Sequence, residues 1–599
     1  MQILYKKREE IPAEFTWNLE SIFASNDEWE QAFKAIQNLL PQLERLKGTL
    51  AQSGKALLTV LQKRDEIFEP LERLYVYSSM RKDEDTTKGI YQGMADRAMQ
   101  LLVQATTTAS FIEPEILALP QDKLDTFMRE TPELALYTHQ LQDLNRQRPH
   151  VRSAEVEAIL ASVGEVADAP DNIFSMINNA DMKFPPIKDE KGQDVELTHG
   201  NYLVYIRSAD RRVRKDAFDT MHSTFLKQRN TIASTLAAQV KSDLFYTRQR
   251  DYSTCRERAL ARNNIPVSVY DNLVETVSEH IPLLNRYLKL RKRILHLDEL
   301  HMYDLYVPIV EETNDATSYA QARDNIVAAL SPLGEKYSTI LQQAFTQRWI
   351  DVYETSGKRS GAYSGGAYGT LPFILMNFQG KRESMFTLAH ELGHSMHSYF
   401  TRTNQPYQYG DYTIFVAEVA STLNEGLLTE YLLKNTSDRA VRLAILNHSL
   451  EDIRSTLFRQ TMFAEFEQQI HSCAEQGEPL TADRLTEMYA ELNRKYYGAE
   501  TVIDDLIGIE WARIPHFYYN FYVYQYATGI SAASALVQQI LHEGQPAVDR
   551  YLKFLSSGSS DYSIELLKKA GVDMTTPGPV RQAFQLFETH LTQMEQLLG

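Results

Sequence analysis

Three of the fifteen histidines in this 599-residue chain, His390, His394 and His397, fall within eight positions of the stretch FTLAHELGHSMHSYF, and Glu391 directly follows the first. On a helix, residues four apart stand one above the other, about 6 Å along the axis at ~1.5 Å rise per residue. His390 and His394 can therefore aim their imidazoles at one point, with Glu391 about 100° round and flanking it. H-E-x-x-H on a helix is the pattern of metal-assisted amide hydrolysis: two neutral nitrogen ligands for zinc, a general base beside them, and an open place for water. The bland alternative is a solvated helix face, since chance would produce the pattern in roughly a few per cent of chains with this histidine usage. Chance does not account for the flanking Met385, Phe386, Leu388, Ala389, Leu392 and Met396, or for the lack of proline; together they predict a helix over about 384–400.

Catalytic zinc takes three protein ligands and leaves one position for water. His397 shares the helical face but lies about 10 Å along the axis from His390, too far for one ion with bonds of ~2.0–2.1 Å. A surface or supporting role is expected for it. The longer H-E-x-x-H-x-x-G-x-x-H pattern also fails, because His397 stands at its glycine and Phe400 at its last histidine. Downstream, DYTIFVAEVASTLNEGLLTEYLL predicts a helix over about 411–433 with Asp411 as N-cap. Glu418 and Glu425 lie two turns apart on one face; one can bind the metal while the other orients a ligand histidine, and spacing leaves the order open.

Two further stretches must position this chemistry. KRSGAYSGGAYGTLPFILMNFQGKRES is glycine-rich and then apolar from Leu371 to Phe378, which reads as a buried strand entering the histidine helix. It is either an ordinary core strand or an edge able to hold an extended peptide. RIPHFYYNFYVYQYATG sets five tyrosines and His516 within eleven positions. Read as a helix over about 513–529, it puts Tyr519, Tyr522 and Tyr526 on one face with His516 nearby, donors for a developing oxyanion. Tyr518 and Tyr524 read as core.

Glycine (26) and proline (21) are scarce in the chain, and hydrophobic residues make up 43%, which favours a mainly α fold with a large core. A formal charge of -17 argues against nucleic acid as a partner. Two distant cysteines, Cys255 and Cys473, suit a reducing compartment. No apolar leader and no membrane-length run is present, so a cytoplasmic location is expected. Ser25, Asn26 and Asp27 are N-cap candidates for an early helix, and FPPIKDEKGQDVELT (Phe184 to Thr198) predicts a hairpin near a boundary, dividing the chain into an N-terminal helical lobe, 1–190, and a catalytic domain, 191–599.

His390 and His394 with FVAEVASTLNE downstream resemble the thimet-oligopeptidase-like zinc metallopeptidase family, most of all its oligoendopeptidase F branch. The resemblance extends to the WNLESIF start, the FPPI hairpin, GKRSGAY and the tyrosine-rich stretch, and is strongest from about Lys358 to Gly529. It implies a multi-helix zincin-like fold with a small β-sheet beside the metal helix and a deep substrate channel between helical lobes. It implies one Zn2+ per chain on His390, His394 and Glu418, with Glu425 supporting a ligand and Glu391 as general base. It further implies that His516, Tyr519 and Tyr522 stabilise the tetrahedral intermediate, and that the substrates are short unstructured oligopeptides cut internally. Two alternatives stay open. One is a dipeptide-releasing or carboxy-terminal exopeptidase, gripping a terminal carboxylate through Arg359 or Arg513; the other is a peptide-binding scaffold with a vestigial metal site. Oligomeric state is not encoded in any motif.

Overall fold

A chain poor in helix breakers folds as helices: 72% is helical, so the few strands act as local connectors and braces. The structure, a computed structural model, describes residues 5–310 and 316–599. The first four residues of the N-terminal stretch, read above for a leader, lie outside the described residues. The expected hairpin pairs β1 (Ile187–Lys188) with β2 (Asp194–Val195). Its turn passes through Gly192 at φ +77°, a backbone state open to glycine without a Cβ penalty. A second sheet has the order β3 (Ile350–Asp351), β5 (Phe373–Leu375), β4 (Tyr363–Gly365), with β5 parallel to β3 and antiparallel to β4. The apolar run Leu371 to Phe378 thus supplies the central strand, and β4 is an edge.

Cα packing divides the chain into two units. The first comprises Met1–Val151, Asp315–Leu432 and Leu536–Gly571; the second comprises Arg152–Asn314, Leu433–Ala535 and Val572–Gly599. This differs from the continuous split between 190 and 191. A hairpin and a composition change mark a loop, whereas the units follow from which apolar faces meet. Phe373 and Leu375 of β5 join the core made by Trp17, Trp29, Leu57 and Leu71, so the central sheet folds with the N-terminal helices.

In the first unit, helix Asn26–Glu44 begins at Ser25, whose side-chain oxygen accepts the Glu28 N–H at 3.2 Å as the sequence predicts. It packs with helices Gly54–Glu84 and Gly89–Ala109. Asp351 on β3 is fully buried between Lys358 (2.7 Å) and Arg8 (2.6 Å). The Lys358 ammonium also donates to the carbonyls of Tyr353 and Met376, at 2.8 and 2.5 Å. The lysine of GKRSGAY therefore fastens the glycine-rich approach to the sheet. Helix Arg382–Asn404 packs on β4 and β5.

In the second unit, helices Arg211–Lys227 and Ala482–Tyr497 pack on the 3-10 stretch Asp505–Arg513. Glu510 on that stretch is buried and accepts from Arg459 at 2.8 Å and from the Tyr489 hydroxyl at 2.7 Å. No helix among the described residues is long and apolar enough to cross a membrane.

Candidate active site

Helix Arg382–Asn404 carries His390, Glu391 and His394, and helix Ile414–Asn435 carries Glu418 and Glu425. The second helix starts three residues after Asp411. The Asp411 carboxylate instead accepts the N–H of its neighbour Tyr412 at 2.9 Å, so it does not cap the helix. The two helices approach closely at Gly393, where a Cβ would stand 2.5 Å from both the Ala420 carbonyl oxygen and the Ser421 Cα. Glycine at mid-helix costs about 1 kcal/mol against alanine, and here it is what lets the backbones meet. A buried amide ties the crossing: Asn424 Nδ2 donates to the Ala389 carbonyl at 3.1 Å, and its Oδ1 accepts from the Tyr337 hydroxyl at 3.0 Å.

The crossing brings three donor atoms together. His390 Nε2 and His394 Nε2 are 3.2 Å apart, and Glu418 Oε2 lies 3.3 Å from the first and 3.6 Å from the second. Ligands on a tetrahedral ion with bonds of ~2.0–2.1 Å stand about 3.3 Å apart, so the spacing fits a shared ion. Two imidazole nitrogens and one carboxylate oxygen are also a donor set that suits zinc. Glu425 Oε1 faces the other nitrogen of His390, Nδ1, at 3.4 Å. Ser421 Oγ donates to Glu418 Oε2 at 3.1 Å. Glu418 is thus the glutamate whose carboxylate joins the two Nε2 atoms, and Glu425 the one that faces the far side of the His390 ring.

Burial and mutual charge shape the titration of this group. Burial pushes the Glu391 carboxyl up to about 7; the charge of His390 opposes the rise, and Glu418 and Glu425 add to it. Burial and the charge of His390 hold His394 down at about 4. His390 is raised well above its ordinary value: burial opposes the shift, but Glu418 and Glu425 outweigh it. Glu418 is held at about 2, its burial overcome by hydrogen bonding to His390 and the charges of both imidazoles.

Against the family models of known proteins, residues 204–586 match "Peptidase family M3" and residues 115–184 match "Oligopeptidase F". The chain is 53% identical to "Oligopeptidase PepF" of Bacillus subtilis, over 99% of this chain and 88% of that protein. It is 44% identical to "Group B oligopeptidase PepB" of Streptococcus agalactiae, over 99% and 98%. Among solved structures it resembles oligoendopeptidase-F from Enterococcus faecium, with TM-score 0.76, 41% identity and coverage of 96% and 99%. The chain belongs to peptidase family M3. It is a metallopeptidase, and the resemblance on which the sequence reading rested is the correct one.

Other expected positions of this M3 peptidase fall as follows. His397 is not a surface residue: it is 1% exposed, stacked on Tyr412 at 3.6 Å between ring centres. Helical phase pointed it towards the ligand histidines, and the following loop brings Tyr412 over it. Arg359 pairs with Asp83 at 3.1 Å and Arg513 with Glu510 at 3.3 Å, so both guanidinium groups are engaged. The stretch 513–523 is not a continuous helix; a 3-10 turn, Pro515–Tyr518, is followed by a bend, and the helix runs Tyr524–Glu543. Asn520 and Phe521 have φ of 47° and 57°, which breaks the helical phase assumed for the tyrosines. His516 still gathers three rings: Tyr519 at 5.7 Å, Tyr522 at 6.0 Å and Tyr526 at 6.0 Å. Tyr518 and Tyr524 are buried, as expected of core residues. Gly393, Ser421 and Asn424 were not singled out from sequence, although a glycine inside an otherwise strong helix is itself a signal of close packing.

Proposed function

We propose that this M3 metallopeptidase is a zinc-dependent endopeptidase that cuts internal bonds of short, unstructured oligopeptides. The observation that carries the reading is the convergence of His390, His394 and Glu418 beside a buried Glu391. In it, His390 Nε2, His394 Nε2 and Glu418 Oε2 would hold the ion, and Glu425 would fix the His390 ring through Nδ1. Zinc bound there would act as a Lewis acid and lower the pKa of water to about 7. Glu391 takes a proton from the attacking water at a carboxylate oxygen and passes it to the leaving amine nitrogen. The phenol hydroxyls of Tyr519 and Tyr522 and the ring N–H of His516 donate to the carbonyl oxygen as it gains negative charge. Burial lowers the pKa of His516, which favours a neutral imidazole with one N–H to give. The edge strand β4 packs on the helix that carries His390, Glu391 and His394, which supports strand addition as the way an extended substrate is held. No serine or cysteine nucleophile is involved.

Oligopeptide substrates are in keeping with the names of the relatives, "Oligopeptidase PepF" and "Group B oligopeptidase PepB". A reducing, cytoplasmic location is in keeping with two unpaired cysteines, Cys255 and Cys473. The test is cleavage of an acetylated, amidated peptide of about ten residues, followed by mass spectrometry. Internal cuts that stop on chelation and return with zinc are expected. Cleavage that requires a free terminus contradicts the endopeptidase reading, and unchanged cleavage under exhaustive chelation contradicts the zinc chemistry.

A further inference from the structure

The bend between Tyr519 and Tyr522 needs an explanation that its own residues do not give. Asn520 and Phe521 are consecutive left-handed residues, at φ 47° and 57°, and neither is glycine. Such a conformation costs stability at each non-glycine position and persists only where surrounding structure over-determines it. Phe521 is buried, its ring 4.6 Å from that of His471 and 5.8 Å from that of Tyr270. Its N–H points to Glu467 Oε1, 2.5 Å away, on helix Arg459–Glu475.

Glu467 is an unusual partner. Its side chain is 0% exposed, and its Oε2 has no hydrogen-bond partner among the described residues. His471, whose charge acts on the carboxyl, turns its Nε2 to Asp243 at 3.4 Å. His471 Nδ1 meets the main-chain carbonyl of Glu467, not its carboxyl. Burial pushes the Glu467 carboxyl up to about 8. A buried, half-satisfied carboxyl is a poor device for stability. The hydrogen bond its carboxyl does make is to the strained peptide between the two tyrosines.

We propose that Glu467 is a positioning residue for catalysis: by accepting the Phe521 N–H it holds the left-handed bend at Asn520–Phe521 and so sets the phenols of Tyr519 and Tyr522 for the oxyanion. The inference rests on the reading of those tyrosines as oxyanion donors. Glu467 touches no substrate; it acts through the turn. Its loss is therefore expected to slow the chemical step without weakening ground-state binding.

The test is steady-state kinetics of the full-length zinc enzyme on an internally quenched, terminally blocked peptide, with melting temperature read in parallel. Glu467→Met keeps the volume and removes the accepting oxygen. It is expected to lower kcat at least tenfold, with KM within twofold and a melting temperature within a few degrees of wild type. Glu467→Gln retains an amide oxygen for the Phe521 N–H and is expected to stay within threefold of wild-type kcat. Asn520→Gly, introduced into Glu467→Met, removes the conformational cost at that position and is expected to recover most of the loss. Wild-type kcat in Glu467→Met overturns the proposal. So does an equal loss in Glu467→Met and Glu467→Gln, or a loss that Asn520→Gly leaves untouched. Tyr519→Phe and Tyr522→Phe separate the two readings. Full kcat in both overturns the oxyanion assignment and the reason for the tether with it, whereas slow tyrosine variants beside a normal Glu467→Met overturn the tether alone.

Discussion

Glu391 and Glu425 are both carboxylates beside His390, and their surroundings differ. Glu391 is buried beside the donor cluster, on the proposed reading as the general base. Glu391→Gln removes that proton carrier while leaving the three donor atoms in place. It is expected to bind one zinc per chain and to lose about 10²–10⁴-fold in kcat; metal analysis beside kinetics checks it, and a near-normal rate would remove the assigned role. Glu425 touches Nδ1 of His390, not the shared point. Glu425→Ala is expected to weaken zinc binding about 10–100-fold while restoring turnover in excess zinc. Competition with a calibrated chelator measures this, and unchanged affinity would show that His390 needs no such support. The two histidines and Glu391 were legible in the sequence because their geometry is local to one helix. Spacing could not choose between Glu418 and Glu425, since that depends on where a second helix crosses the first; only the family resemblance pointed to Glu418.

That crossing is a property of elements, and it turns on Gly393. A methyl group there would meet the Ala420 carbonyl and the Ser421 Cα at 2.5 Å, both main-chain atoms that cannot rotate away. Gly393→Ala gains helix propensity but must part the helices, and overpacking of this kind costs about 1–3 kcal/mol. The expected result is a lower melting temperature together with weaker zinc binding, because Glu418 moves with its helix. A variant as stable as wild type, with full metal content, would show that the crossing tolerates the methyl. Element identity was largely readable: the metal helix, the β5 strand, the hairpin and the Ser25 cap follow from periodicity, apolar runs and capping residues. The tyrosine stretch was misjudged for a definite reason. Periodicity can place Tyr519, Tyr522 and Tyr526 on one face only if the backbone stays helical, and Asn520 and Phe521 leave the helical region under the hold of Glu467.

At the scale of the whole molecule, stability depends on carboxylates buried against cations. Glu510 is held at about 2: burial opposes this, but the charges of Arg459 and Arg513 and the hydrogen bond from Arg459 prevail. Its folded pKa lies below its unfolded value of ~4.3, so its contribution is complete above that value and is lost as pH falls towards 2. The difference corresponds to on the order of 3 kcal/mol. Asp351, lowered by Lys358 and Arg8 against its burial, acts in the same direction in the other unit. Melting temperature is expected to fall between about pH 5 and pH 2, and Glu510→Gln is expected to flatten part of that slope while lowering stability near neutrality. A slope identical to wild type would remove Glu510 from the account. Composition foretold the helical class, but the division into units, each drawn from three stretches of chain, could not be read along the sequence. Phe373 and Leu375 fold with residues some three hundred positions earlier, a pairing that no local pattern announces.

The central claim is that one zinc ion is held by side chains from two helices. Diffraction from crystals of the zinc-loaded enzyme, recorded on both sides of the zinc absorption edge, tests it most directly. One anomalous peak per chain is expected, within about 2.0–2.2 Å of His390 Nε2, His394 Nε2 and a Glu418 carboxylate oxygen. A fully active enzyme whose zinc lies elsewhere, or is bound without Glu418, would contradict it.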